Sequence, residues 1–146
     1  MRKHVSSGSP FEDQIGFSRA VRVGPMVAIS GTAPIDGDGE VYGEGDAYAQ
    51  TRRCLELIVE AASQAGMGRA EVIRTRIMLT DISNWEAAAR AHREVFSDVA
   101  PACTFVQVSR FIDERWLVEV EADCVDDKHA SMTAEKNPIY NSKTNA

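Results

Sequence analysis

The sequence has no long apolar run, no paired-cysteine motif and no excess of basic residues, and each absence removes a class of function. No stretch reaches the roughly 20 apolar residues that a membrane-spanning helix needs, and the basic start MRKHVSSGSPFEDQ lacks the apolar core of a secretory leader. No membrane partner is expected, and a cytoplasmic location is. The three cysteines, Cys54, Cys103 and Cys124, are odd in number and widely spaced, with no C-x-x-C and no nearby histidine to complete a zinc set. Neither a disulfide framework nor a zinc site is suggested, so no metal and no other cofactor is expected. Lys and Arg number 16 against 22 Asp and Glu, a net charge of -6. Nucleic-acid binders usually carry a basic footprint, so a nucleic-acid partner is not expected.

What is present suits one ordinary globular domain: 146 residues, 44% hydrophobic and 26% charged, enough to bury one core without disulfide or metal support. No internal repeat occurs. The residues from Asp126 to Ala146 are polar and without periodicity, so residues 1–125 are expected to form the domain and 126–146 a disordered tail or an appended remnant.

The order of elements follows from periodicity. Phe17 to Val23 and Met26 to Ser30 read as strands joined by a Gly24-Pro25 hairpin. The continuous apolar run Val27-Ala28-Ile29 predicts a central strand covered on both faces. The loop GTAPIDGDGEVYGEGD carries a turn at Asp36 to Gly39; its acidic residues speak against a phosphate cradle. Asp46 caps a predicted helix running to about Ala65, with Leu55, Ile58, Val59 and Ala62 at helical spacing and Gly66 as the stop. Val72 to Leu79 alternates as a strand. Ser83 and Glu86 have the spacing of a capping box ahead of a second helix, whose apolar stripe is Trp85, Ala88, Ala89, His92, Val95 and Phe96.

The informative stretch is PACTFVQVSRFIDERWLVEVEADCV, Pro101 to Val125. Alternation in its second half turns Val118, Val120 and Ala122 one way, and Leu117, Glu119, Glu121 and Asp123 the other. If the two halves pair as strands, Cys103, Phe105 and Gln107 line the face that carries Glu119 and Glu121. Acid–base work by Glu119 needs burial or a like-charged neighbour to raise its pKa, and Glu121, two residues away on the same face, could supply the second; the plainer reading is a solvated or salt-bridged sheet face. Cys103 reads as a thiol nucleophile or as a small buried hydrophobe, and His92 as a packed, hydrogen-bonded histidine. The whole is an α+β fold: a single mixed sheet with two helices on one face. The other face, carrying Phe105 and Leu117, would expose a mixed apolar patch, which self-association would bury, leaving Glu119 and Glu121 in a cleft between subunits.

The segments IGFSRAVRVG, VAISGTAP, GDAYAQTRRCLELI, EVIRTRIMLTDI and PACTFVQV followed by LVEVEADCV occur in an order and spacing that resembles the RidA/YjgF/YER057c/UK114 family, over roughly Phe11 to Val125. The resemblance implies a chorismate-mutase-like fold, a homotrimer and a small-molecule ligand bound in clefts between subunits. The best-known members hydrolyse enamine or imine intermediates derived from amino acids to keto acids and ammonia, without a cofactor. By that likeness Glu119 positions the attacking water, backbone near Ser30 and Gly31 holds the substrate, and an aromatic stands at Phe17, where Tyr is common. The family's Arg two residues after the Pro, which binds the substrate carboxylate, is replaced: Pro101-Ala102-Cys103 offers no cation. A lost charge-assisted bidentate contact is worth about 1.5–3 kcal/mol, one to two decades of affinity. The resemblance thus leaves open a deaminase-type hydrolase, a non-catalytic metabolite-binding or regulatory trimer, and the ribonuclease or translation inhibitor that the family is often labelled, with Arg19, Arg74, Arg76 and Arg110 as possible replacement cations.

Overall fold

The computed structural model describes residues 1–128. Strand β1 (Arg2–Val5) leads into a short helix α1 (Pro10–Ile15), then strands β2 (Ala20–Val23) and β3 (Met26–Thr32), helix α2 (Ala47–Gln64), strand β4 (Val72–Leu79), helix α3 (Trp85–Phe96), and strands β5 (Ala102–Gln107) and β6 (Val118–Val125). The six strands form one mixed sheet in the order β1-β2-β3-β6-β4-β5. Only β4 and β5 run parallel, since α3 makes the crossover between them.

The long helix follows its sequence signals. Asp46 accepts the Ala49 N–H as N-cap, and Gly66, at φ 85°, takes the left-handed conformation beyond the last turn. The hairpin turns at Gly24-Pro25 and Asp36–Gly39 also form where expected. Other signals resolved differently. Ser83 caps nothing: its hydroxyl donates to Asp81, which caps a 3-10 turn over Ile82–Asn84, and α3 starts at Trp85 without a side-chain cap. Trp85 is half exposed, and the buried positions of α3 are Ala88, Ala91 and Phe96. The N-terminal segment hides a capping box, Ser9-Pro10-Phe11-Glu12, that opens α1.

Both long helices pack on one face of the sheet. Leu55, Ile58 and Ala62 of α2 and Ala88 and Phe96 of α3 meet Val27, Ile29, Ile77, Leu79, Val118, Val120 and Ala122. His92 of α3 is hydrogen-bonded through Nε2 to Thr75 Oγ1 at 2.8 Å and packs against the Phe96 ring, as expected of a core histidine; burial lowers its pKa. Among the described residues no helix or strand covers the opposite face. Ala28 is exposed there, so the central run is covered on one face and not on both. Val23, Met26 and Val106 stand on the same bare face at 50%, 55% and 37% exposure. No helix among the described residues is long and apolar enough to cross a membrane. Of the 126–146 tail, residues beyond Lys128 lie outside the described range; Asp126 itself is tied back to Arg22 at 3.3 Å.

Candidate functional site

The site begins with the alternation of β6. Val118 and Val120 enter the core with no exposure, so Glu119 between them must point to the bare face. On one side Glu119 is in register with Met78 of β4. On the other the β3 ladder is interrupted: Ile29 pairs with Ala122 and Thr32 with Val120, so Ser30 and Gly31 together stand opposite Glu121. Such a bulge bends the strand locally and re-aims its groups. A Cβ built on Gly31 would lie 3.9 Å from Glu119 Oε1, which places this backbone beside the carboxylate.

The segment before β2 closes the other wall. Ser30 N–H donates to the Arg19 carbonyl and Ser30 Oγ to the Ser18 carbonyl, at 3.1 and 2.7 Å. Arg19 Nη2 donates to the Gly31 carbonyl at 2.5 Å, and its guanidinium carbon lies 5.8 Å from the centre of the Phe17 ring. The structure therefore gathers Phe17, Arg19, Ser30, Gly31 and Glu119.

Burial pushes the Glu119 pKa up and the Arg19 charge pulls it partly back. Burial likewise lowers Arg19, opposed by the charges of Glu12 and Glu119. Desolvation, not Glu121, perturbs Glu119, because Glu121 is spent in an ion pair with Arg76. The expected repulsion between the two carboxylates is thus replaced by a cross-strand pair.

Cys103, Phe105 and Gln107 do not join this face. Parallel pairing sets them in register with Thr75, Ile77 and Leu79, which are buried beneath the helices. Thr104 and Val106 share the bare face instead. Phe105 packs against the core, Gln107 Oε1 accepts the Ile82 N–H, and Cys103 is an exposed thiol, not a buried space-filler. The sequence pairing fails because β4 inserts between β5 and β6: Cys103 lies two strand spacings from β6, about 10 Å across the sheet, and level with Ala122, three residues along β6 from Glu119. Among the described residues no cluster of metal-ligating side chains occurs.

One residue the sequence did not single out holds β6 in place. Gln50 on α2 is fully buried; its Nε2 donates to the Arg115 carbonyl and its Oε1 accepts the Leu117 N–H, at 3.0 and 2.8 Å. Both bonds flank buried Trp116 and fix the chain two residues before Glu119. A polar residue inside the apolar stripe of a helix was the available signal. Gln50→Leu leaves two backbone groups unpaired, and an unmet buried group costs about 1–3 kcal/mol. We expect a loss of at least about 2 kcal/mol in urea unfolding; an unchanged midpoint would show that the loop rests on other contacts.

Two open grooves lie elsewhere, one between Phe11 and the 112–116 loop and one between α2 and α3. Neither reaches Glu119, whose surroundings in a single chain are a wall without a roof.

Comparisons with known proteins bear on the fold. A family model described as endoribonuclease L-PSP matches residues 10–125. An uncharacterized protein of Streptomyces coelicolor is 45% identical over 121 residues, 83% of this chain and 90% of its own length. A RutC family protein of Pyrococcus abyssi is 30% identical over 106 residues, 73% of this chain and 83% of its own. Among solved structures, a member of the YjgF/YER057c/UK114 family from Mycobacterium tuberculosis is 44% identical with a TM-score of 0.77, covering 86% of this chain and 99% of that one.

Proposed function

Since the chain belongs to the endoribonuclease L-PSP family, also called YjgF/YER057c/UK114, we propose that it is a homotrimeric hydrolase of small enamines or imines. Its reaction centre is Glu119, in a cleft that a second copy roofs over. One observation carries this reading: a desolvated carboxylate with a raised pKa stands beside the bulged backbone of Ser30 and Gly31, on a sheet face that is otherwise bare. Such a carboxylate can hold a water molecule and take its proton as the oxygen attacks a C=N carbon. That proton passes to nitrogen to give a carbinolamine; the hydroxyl proton then moves to the amine as the C–N bond breaks and the C=O bond forms, and the products are a carbonyl compound and ammonia. No electrons are exchanged in this balance, so it calls for no redox cofactor.

The Cys103 thiol, standing where the family motif has its carboxylate-binding Arg, favours a second reading, a trimer that binds a metabolite without turning it over. A ribonuclease role is disfavoured by the net charge of -6. The readings separate in an assay of ammonia and keto-acid release from freshly generated 2-iminobutanoate. Acceleration over buffer is expected for the wild type. An inert wild type would overturn the hydrolase reading, and turnover appearing only in Cys103→Arg would identify a cleft that had lost its chemistry with the guanidinium.

A further inference from the structure

We propose that Arg19 is the anion-recognising cation of the Glu119 site, and that the natural ligand is therefore a small carboxylate whose acid group docks on the open end of this guanidinium. The inference rests on the reading of Glu119 as the centre of the site.

Among the arginines on this side of the molecule, Arg19 alone has spare donors next to Glu119. Arg76 is paired with Glu121. Arg110 pairs with Glu114 at 3.6 Å on a side chain 70% exposed. Arg74 lies opposite Asp123, at the far end of β6 from Glu119. Arg19 differs in three respects. It is half-buried and in no ion pair among the described residues, although both Glu12 and Glu119 act on it electrostatically. The one hydrogen bond of its guanidinium, Nη2 to the Gly31 carbonyl, fixes the plane of the group against the bulge. Its Nε is buried with no partner, and Nη1 donates to nothing among the described residues yet is not sealed from solvent.

A guanidinium has five donors in a rigid fork. Drawing one partly out of water with a donor unmet is unfavourable, and an anion on its open Nη edge offsets part of that cost. The planar, two-oxygen acceptor that fits the fork is a carboxylate. Phe17, 5.8 Å away, supplies an aromatic contact that holds the cation in place. Because Arg19 reaches the β3 bulge that also flanks Glu119, a ligand acid group on Arg19 leaves its neighbouring carbon next to the Glu119 carboxylate. The cation thus comes from the β2 side of the cleft rather than from position 103.

The test is equilibrium binding of 2-oxobutanoate and of its primary amide, measured by calorimetry; neither can undergo the hydrolysis. We expect the wild type to prefer the acid by 10-fold or more, Arg19→Gln to bring the ratio to about one, and Arg19→Lys, which keeps the charge but not the fork, to lie between. A structural role for Arg19 would change melting temperature or assembly without moving the acid-to-amide ratio. The proposal is overturned if the wild type binds neither compound or both equally, or if the ratio survives in Arg19→Gln. Should Arg19→Gln not fold, an unaltered ratio in Arg19→Lys overturns it equally. Failure of imine turnover in the wild type would sink the hydrolase reading but leave this ratio standing.

Discussion

Glu119→Gln is expected to lower imine turnover about 10²–10⁴-fold, the usual range for a lost general acid–base group, while leaving the fold and assembly intact. Gln keeps the shape and can still hydrogen-bond a water, but it cannot take the water's proton. The wild-type rate should also fall as acidity protonates Glu119. Because burial raises the folded-state pKa above its ordinary value of 4.5, that acid limb should lie at higher pH than for a free glutamate, and it should be absent in the variant. The sign for stability runs the other way. A carboxylate whose folded pKa is raised is penalised in its charged form, so the native state gains stability as pH falls through that pKa. Glu119→Gln removes the penalty, and its melting temperature at neutral pH should not drop. A variant with wild-type turnover, or one that keeps the acid limb, would remove Glu119 from the chemistry.

Ala28→Arg is expected to turn the assembled protein into folded monomers. Ala28 sits in mid-strand on the bare face, between Val21 and Asp123, and is exposed in the single chain. The chain should fold with an arginine there. At a subunit interface the same arginine, even with Asp123 beside it in register, must be drawn from water and overfills the contact, a cost of several kcal/mol against association, or roughly 10² or more in the association constant. Turnover should fall with assembly, since the cleft loses its roof. Light scattering decides the matter: if the wild type is already monomeric at micromolar concentration, the interfacial cleft is wrong, and Glu119 faces solvent.

Neither experiment could have been designed from alternation alone. The pattern Val118-Glu119-Val120-Glu121-Ala122 is legible because a two-residue period has only two faces, and the valines can occupy just one of them. The same rule, applied across strands, misled. Alternation states which residues of one strand share a side; it is silent on which strand lies next to it. Inserting β4 between β5 and β6, with parallel pairing on one flank and antiparallel on the other, sent Cys103, Phe105 and Gln107 to the helix side. Arg19 was visible only as one of several arginines, because its relation to Glu119 passes through a β3 bulge that no local signal announces. Gln50 was hidden for a related reason: its partners lie 65 and 67 residues away.

The amino-acid sequence by itself determined several elements and the sidedness of the last strand: the Asp46 cap and the Gly66 stop of the long helix, the Gly24-Pro25 hairpin, the strand Val72 to Leu79 and the outward turn of Glu119. These are local, each set by a few neighbouring residues and the steric limits of the backbone. The tertiary structure alone decided strand order, the bulge at Ser30 and Gly31, the pairing of Glu121 with Arg76 and the approach of Arg19 to Glu119. Those depend on contacts between residues far apart in the chain, whose free energy appears only once the sheet has closed and water has been displaced from between them.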